Sequence, residues 1–163
     1  MRDPRDLVVS YYFSMRDSHV EHCWVKEIRQ ELVRRDKNVG LDLVIEHLAT
    51  EGLYEILRSW NRGIHKNGQA RMFSFENLAY DHGQFIRELF DWLGIRIPDG
   101  KLDAVIADTA FSKISGRPKG HENVKSHQRK GVAGDWMNHL TDQHLERLER
   151  FSSGLVQELQ YKT

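Results

Sequence analysis

A chain of 163 residues is long enough to enclose one sizeable core. Its 24 lysines plus arginines are matched by 24 aspartates plus glutamates, which argues against a general nucleic-acid binder and confines any anion site to a local cluster. The single cysteine, Cys23, excludes an internal disulfide, no apolar run is long enough for a membrane span, and the scattered histidines bring no cysteine or carboxylate at metal spacing. A cytoplasmic protein without a metal site is expected.

The first strong signal is a helix start. Asp3 reads as the N-cap, Pro4 as the first helical residue and Asp6, three places after the cap, as the partner in a capping box. Leu7, Val8, Val9, Tyr11, Tyr12 and Phe13 are apolar nearly all round, so this helix should be enclosed by neighbours. Ser10 interrupts the run, and its hydroxyl either bonds back to the Asp6 carbonyl or faces a ligand. Asp3, Asp6 and Ser10, three and four apart, share the face of the helix start, beside Arg2, where anions are favoured.

From Val20 to Arg35 the residues Val20, Trp24, Val25, Ile28 and Leu32 recur at helical spacing among charges, predicting an amphipathic helix. Asp36 to Gly40 reads as a loop, followed by helices over 41–49 and 54–60 that are broken near Gly52. Asn67-Gly68 marks a turn, and Arg71-Met72-Phe73-Ser74-Phe75 has β character, although a lone strand must find backbone partners elsewhere. Asp81 caps a helix whose Phe85, Ile86, Leu89, Phe90 and Leu93 should face inward until Gly94 stops it. Pro98-Asp99 opens another helix through Leu102, Val105 and Ile106.

Residues 112–128 hold Lys113, Arg117, Lys119 and Lys125 amid Ser, Gly and Pro, either as a mobile basic lid or as a solvated charge run. The stretch Gln128-Arg129-Lys130-Gly131-Val132-Ala133-Gly134-Asp135-Trp136 follows. Arg129 offers a planar fork of donors and Lys130 a mobile point charge, while Gly131, lacking Cβ, lets backbone N–H groups curl around an anion. Those features suit a phosphate grip; the plainer reading is a basic turn closed by a buried Trp136. Thr141 caps a last helix with Leu145, Leu148, Leu155, Val156 and Leu159 on one face.

Arg-Asp-Pro-Arg-Asp with Val-Ser-Tyr-Tyr at the start, and Arg-Lys-Gly with Gly-Asp-Trp late in the chain, resemble the two 3′-phosphate-binding signatures of the cytosolic-type sulfotransferases, which use 3′-phosphoadenosine 5′-phosphosulfate, PAPS. The match covers nearly the whole chain. The resemblance implies an α/β chain, the C-terminal part of a P-loop-type sulfotransferase fold, predominantly helical with one strand at about residues 71–75. It implies a single domain over 1–163, incomplete at its N-terminus. Arg2 and Ser10, with Arg129, Lys130 and Gly131, would hold the 3′-phosphate. Phe75, in Phe75-Glu76-Asn77 where the family has a Tyr-Glu-Asp-like turn, and Thr109-Ala110-Phe111 would border the adenine, although Phe75 and Phe111 also suit a plain core. The family's dimer segment resembles Met137, Thr141, Asp142 and Glu146 here, with the threonine and glutamate kept and the lysine and valine lost.

The family's glycine-rich phosphosulfate loop and its histidine base have no counterpart in this sequence, so no residue is assigned catalysis. The expected partners are a small-molecule acceptor with a hydroxyl or amine, and a homodimer mate or a complementing N-terminal half; no specific nucleic acid or membrane is expected. By itself this piece should be inactive, and 3′,5′-adenosine bisphosphate would be the product form of the cofactor. The rival reading is a non-catalytic helical module whose basic 113–130 segment binds phosphorylated partners or RNA.

Overall fold

A computed structural model describes residues 1–64 and 69–161; the expected Asn67-Gly68 turn lies outside them. The α-helices are, in chain order, α1 (Pro4–Phe13), α2 (Cys23–Arg34), α3 (Lys37–Thr50), α4 (Leu53–Ile64), α5 (Phe75–Tyr80), α6 (His82–Trp92), α7 (Asp99–Thr109), α8 (Phe111–Ser115), α9 (Asp142–Ser152) and α10 (Leu155–Glu158). A π turn at Ser14–Ser18 and a 3-10 turn at Asp135–Asn138 complete the regular structure. Two compact units result: residues 1–73 with 134–163, and residues 74–133. No described helix is long and apolar enough to cross a membrane.

In the first unit α1 begins as its sequence predicts. The Asp3 carboxylate accepts the Arg5 N–H at 2.9 Å, Pro4 takes the first turn, and Val8, Val9 and Tyr12 are enclosed. The π turn that continues α1 was not foreseen. Arg29 of α2 donates to the Met15 carbonyl at 2.9 Å and to the His19 carbonyl at 2.6 Å, supplying charged donors to acceptors in and just beyond the wider turn. In α2, Val25, Ile28 and Leu32 are buried, whereas Val20 precedes the helix and Trp24 sits at the edge of its stripe, both exposed.

The loop expected at 36–40 is instead the start of α3. Asp36 accepts the N–H groups of Asn38 and Val39 at 2.9 and 3.1 Å, and the helix runs from Lys37. Gly40 is tolerated there because α1 comes close: a Cβ would stand 2.7 Å from Tyr12 Cε2. Gly52, at φ 71°, separates α3 from α4 as expected. The last helix is in fact two. Ser153 at φ 49° and Gly154 at φ 77° break it, and Arg58 of α4 clasps the break, donating to the Ser152 and Ser153 carbonyls and to the Glu158 carboxylate.

Residues 71–75 form no strand, and none occurs among the described residues. A strand exists through its ladder, and no ladder forms among the described residues. The terminal ammonium of Met1 does donate to the Phe73 carbonyl at 2.6 Å, but Ser74 then accepts the Asn77 N–H at 3.1 Å and turns Phe75 into α5. In the second unit Asp81 caps α6 through the Gln84 N–H at 2.9 Å, and Gly94, at φ 68°, lies just beyond the helix end. The face of Phe85, Ile86, Leu89 and Phe90 is only half-buried, and Leu93 is exposed, contrary to the expected inward packing.

Candidate functional site

The start of α1 is built around Asp6. Its carboxylate does not close a capping box; it accepts the Gly134 N–H at 2.6 Å and the Trp136 N–H at 2.9 Å. Burial pushes this carboxyl above its ordinary value, against those two donors and the nearby Arg2 charge, which pull it down. Arg5 pairs with Asp3 and lies 4.0 Å from the centroid of the Trp136 ring, so the Gly-Asp-Trp turn is anchored on the helix start by charge and by an aromatic face. Trp136 is half-buried. Arg2, one residue before the cap, and Ser10 are likewise half-buried. In this unit Thr141 and His144 form the capping box of α9, with His144 Nδ1 2.9 Å from the Thr141 N–H and Nε2 3.1 Å from the Asn38 carbonyl.

Phe75, Thr109, Phe111 and Gly131 all line one cavity of about 530 Å³ within residues 74–133. Its walls are largely apolar, with Leu78, Phe85, Ile86 and Ile114 beside the two phenylalanines. The half-buried face of α6 thus borders open space and does not fill a core. Polar groups are few and placed: Thr109 Oγ1 donates to the Val105 carbonyl at 2.7 Å and stands 3.2 Å from His82 Nε2, and Lys119 donates to the Ala79 carbonyl. Flat apolar walls with a few directional groups suit a heteroaromatic base. His82, Lys119 and Gln128 also line this space; Lys119 falls in the expected basic lid and Gln128 opens the basic turn, whereas nothing in the local sequence marks His82 for it.

Gly131 has two reasons to be glycine. Its φ is 71°, and a Cβ would fall 2.7 Å from Phe111 Cγ. The turn that carries the basic pair therefore rests directly on the Phe111 ring. Arg129 is ion-paired with Glu122, and both Arg129 and Lys130 are half-buried. The Arg129 and Lys130 carbonyls accept the Asn123 and Gly120 N–H groups, each at 2.9 Å. Residues 112–115 of the expected lid belong to α8, and the remainder is loop tied by these bonds.

Residues 1–160 match the model of the sulfotransferase domain family, and the chain belongs to that family. Human sulfotransferase 1C2 is 27% identical over 162 residues, covering 91% of this chain and 50% of its own length. Bovine sulfotransferase 1E1 is 26% identical, covering 86% of this chain and 48% of its own length. The fold is similar to that of mouse sulfotransferase SULT7A1, solved in complex with PAP, at a TM-score of 0.61 and 19% identity, over 93% of this chain and 55% of that one. The chain thus spans about half the length of these relatives.

Proposed function

We propose that this chain carries the 3′-phosphate and adenine half of a PAPS site, and that the protein it represents transfers a sulfuryl group from PAPS to a hydroxyl or amine of a small-molecule acceptor. The observation that carries the reading is the cavity of residues 74–133, where Phe75, Thr109, Phe111 and Gly131 meet beside the Arg129-Lys130 turn. Phe75 and Phe111 would sandwich or edge the base, with the Thr109 hydroxyl at its rim. Arg129, Lys130 and the Gly131 backbone would take the 3′-phosphate, a role also assigned to Arg2 and Ser10. PAPS itself supplies the sulfuryl group; these residues bind and orient its nucleotide end, and none is assigned a proton transfer.

A nonspecific module for RNA or phosphorylated partners has less support. Arg117 and Lys119 direct their charge to carbonyls of their own unit, whereas a phosphate-tracking patch presents its cations to solvent. The test is calorimetric titration with 3′,5′-adenosine bisphosphate against 5′-AMP. A preference for the bisphosphate of at least about tenfold, abolished in Arg129→Glu and Arg2→Glu, is expected. Equal weak binding of both nucleotides, falling steeply with salt, would favour the rival.

A further inference from the structure

We infer that Arg117 is the positioning residue of the phosphate-binding turn, an inference that rests on the function proposed above. Its guanidinium donates through Nη1 to the His121 carbonyl at 2.7 Å and the Arg129 carbonyl at 3.2 Å, and through Nη2 to the Gln128 carbonyl at 2.6 Å. The same group lies 5.8 Å from the centroid of the Phe111 ring. One planar fork therefore gathers both limbs of the loop and stands over the ring on which Gly131 rests. No helix or ladder holds residues 117–131, so carbonyls converging on this cation reinforce the two backbone bonds from Gly120 and Asn123 that cross the loop.

Holding the Gln128 and Arg129 carbonyls on one guanidinium fixes the backbone from which the Arg129 and Lys130 side chains project. Lysine cannot reproduce it. An ammonium carries the charge but lacks the rigid planar fork, so Arg117→Lys should keep the net charge of the unit and lose most of the ordering. Arg117 itself contacts no phosphate in this assignment. It acts on affinity only through the turn.

The test joins a ligand-free readout to a binding one, on the full chain. Hydrogen exchange would be followed at the Gly120 and Asn123 amides, which bond to the Lys130 and Arg129 carbonyls, in the wild type, Arg117→Ala and Arg117→Lys. Titration with 3′,5′-adenosine bisphosphate and 5′-AMP would accompany it, with circular dichroism establishing that each variant keeps its helices. Exchange at both amides should quicken by about tenfold or more in Arg117→Ala, and the preference for the bisphosphate should fall about tenfold with little change in 5′-AMP binding. Arg117→Lys should sit between. Unchanged exchange in Arg117→Ala would overturn the clamp whatever the ligands do. Quickened exchange with the bisphosphate preference intact would overturn its role in binding. A wild type that prefers neither nucleotide, with exchange still quickened in Arg117→Ala, would sink the proposed function and with it the positioning role, while leaving Arg117 a loop clamp.

Discussion

Residues 1–73 with 134–163 are organised around an apolar interior, in which Val8, Val9, Val25, Leu32, Leu41, Val44, Ile45 and Leu155 are fully enclosed. Among residues 74–133 only Ala79, 7% exposed, is buried, although Phe75, Leu78, Phe85, Ile86, Phe111 and Ile114 all lie there. Those side chains line a cavity. The first unit is held by apolar burial, the second by helix caps, glycine turns and charged clamps such as Arg117 and Lys119. A unit that lines a cavity with its apolar side chains has a smaller share of them left for stability.

The contrast can be broken most directly with paired truncations. Leu41→Ala should cost about 2–5 kcal/mol in urea unfolding, whereas Leu89→Ala, half-exposed, should cost about 1 kcal/mol. Equal losses would erase the distinction. Next in size, Arg58→Met should cost about 2–3 kcal/mol by the same measurement, because it strips the Ser152 and Ser153 carbonyls and Glu158 of their donor at the α9–α10 break. A neutral result there would mean that the break is held by packing alone.

Asp6→Asn tests a polar tie inside the apolar unit. It should cost about 1–2 kcal/mol at neutral pH, since an amide oxygen can serve only one of the Gly134 and Trp136 donors well. The pH dependence carries more information. Burial raises the Asp6 carboxyl, so the folded state favours its protonated form. That contribution is present below the ordinary carboxylate value and is lost as pH climbs through the raised one. The wild type should therefore gain on Asp6→Asn as pH falls through this window, read as thermal midpoints of the two proteins, and a constant difference would deny the effect of burial.

In the second unit, Gly131→Ala should cost about 1–2 kcal/mol for the left-handed backbone and should also displace Phe111, lowering nucleotide affinity in calorimetry. Normal binding by that variant would separate the turn from the cavity. The smallest effect is expected at Tyr80, 94% exposed, where Tyr80→Ser should alter the thermal midpoint by no more than the equivalent of about 0.5 kcal/mol.

Much of this chain was legible from sequence because helix signals act within a few residues. Asp3, Asp81 and Thr141 cap the helices they were expected to cap, and Gly52 and Gly94 stand at expected ends, since each needs only its neighbours along the chain. The family resemblance also rested on short linear motifs, and the family match bears it out. What sequence could not supply was the partner of each polar group. Asp6 looked like a capping-box residue and instead binds N–H groups 128 and 130 positions away. Arg58 carries no local mark and Arg117 shows only as one cation of a basic run, because a guanidinium that gathers distant carbonyls is indistinguishable in sequence from one in solvent. The strand expected at 71–75 failed for a related reason: β character is a property of a segment, but a strand is a relation between two. Local chemistry determined where helices start, stop and turn. The tertiary structure decided whether an apolar face meets a core, as in α3, or a cavity, as in α6, because that depends on what stands opposite and not on the period of the residues themselves.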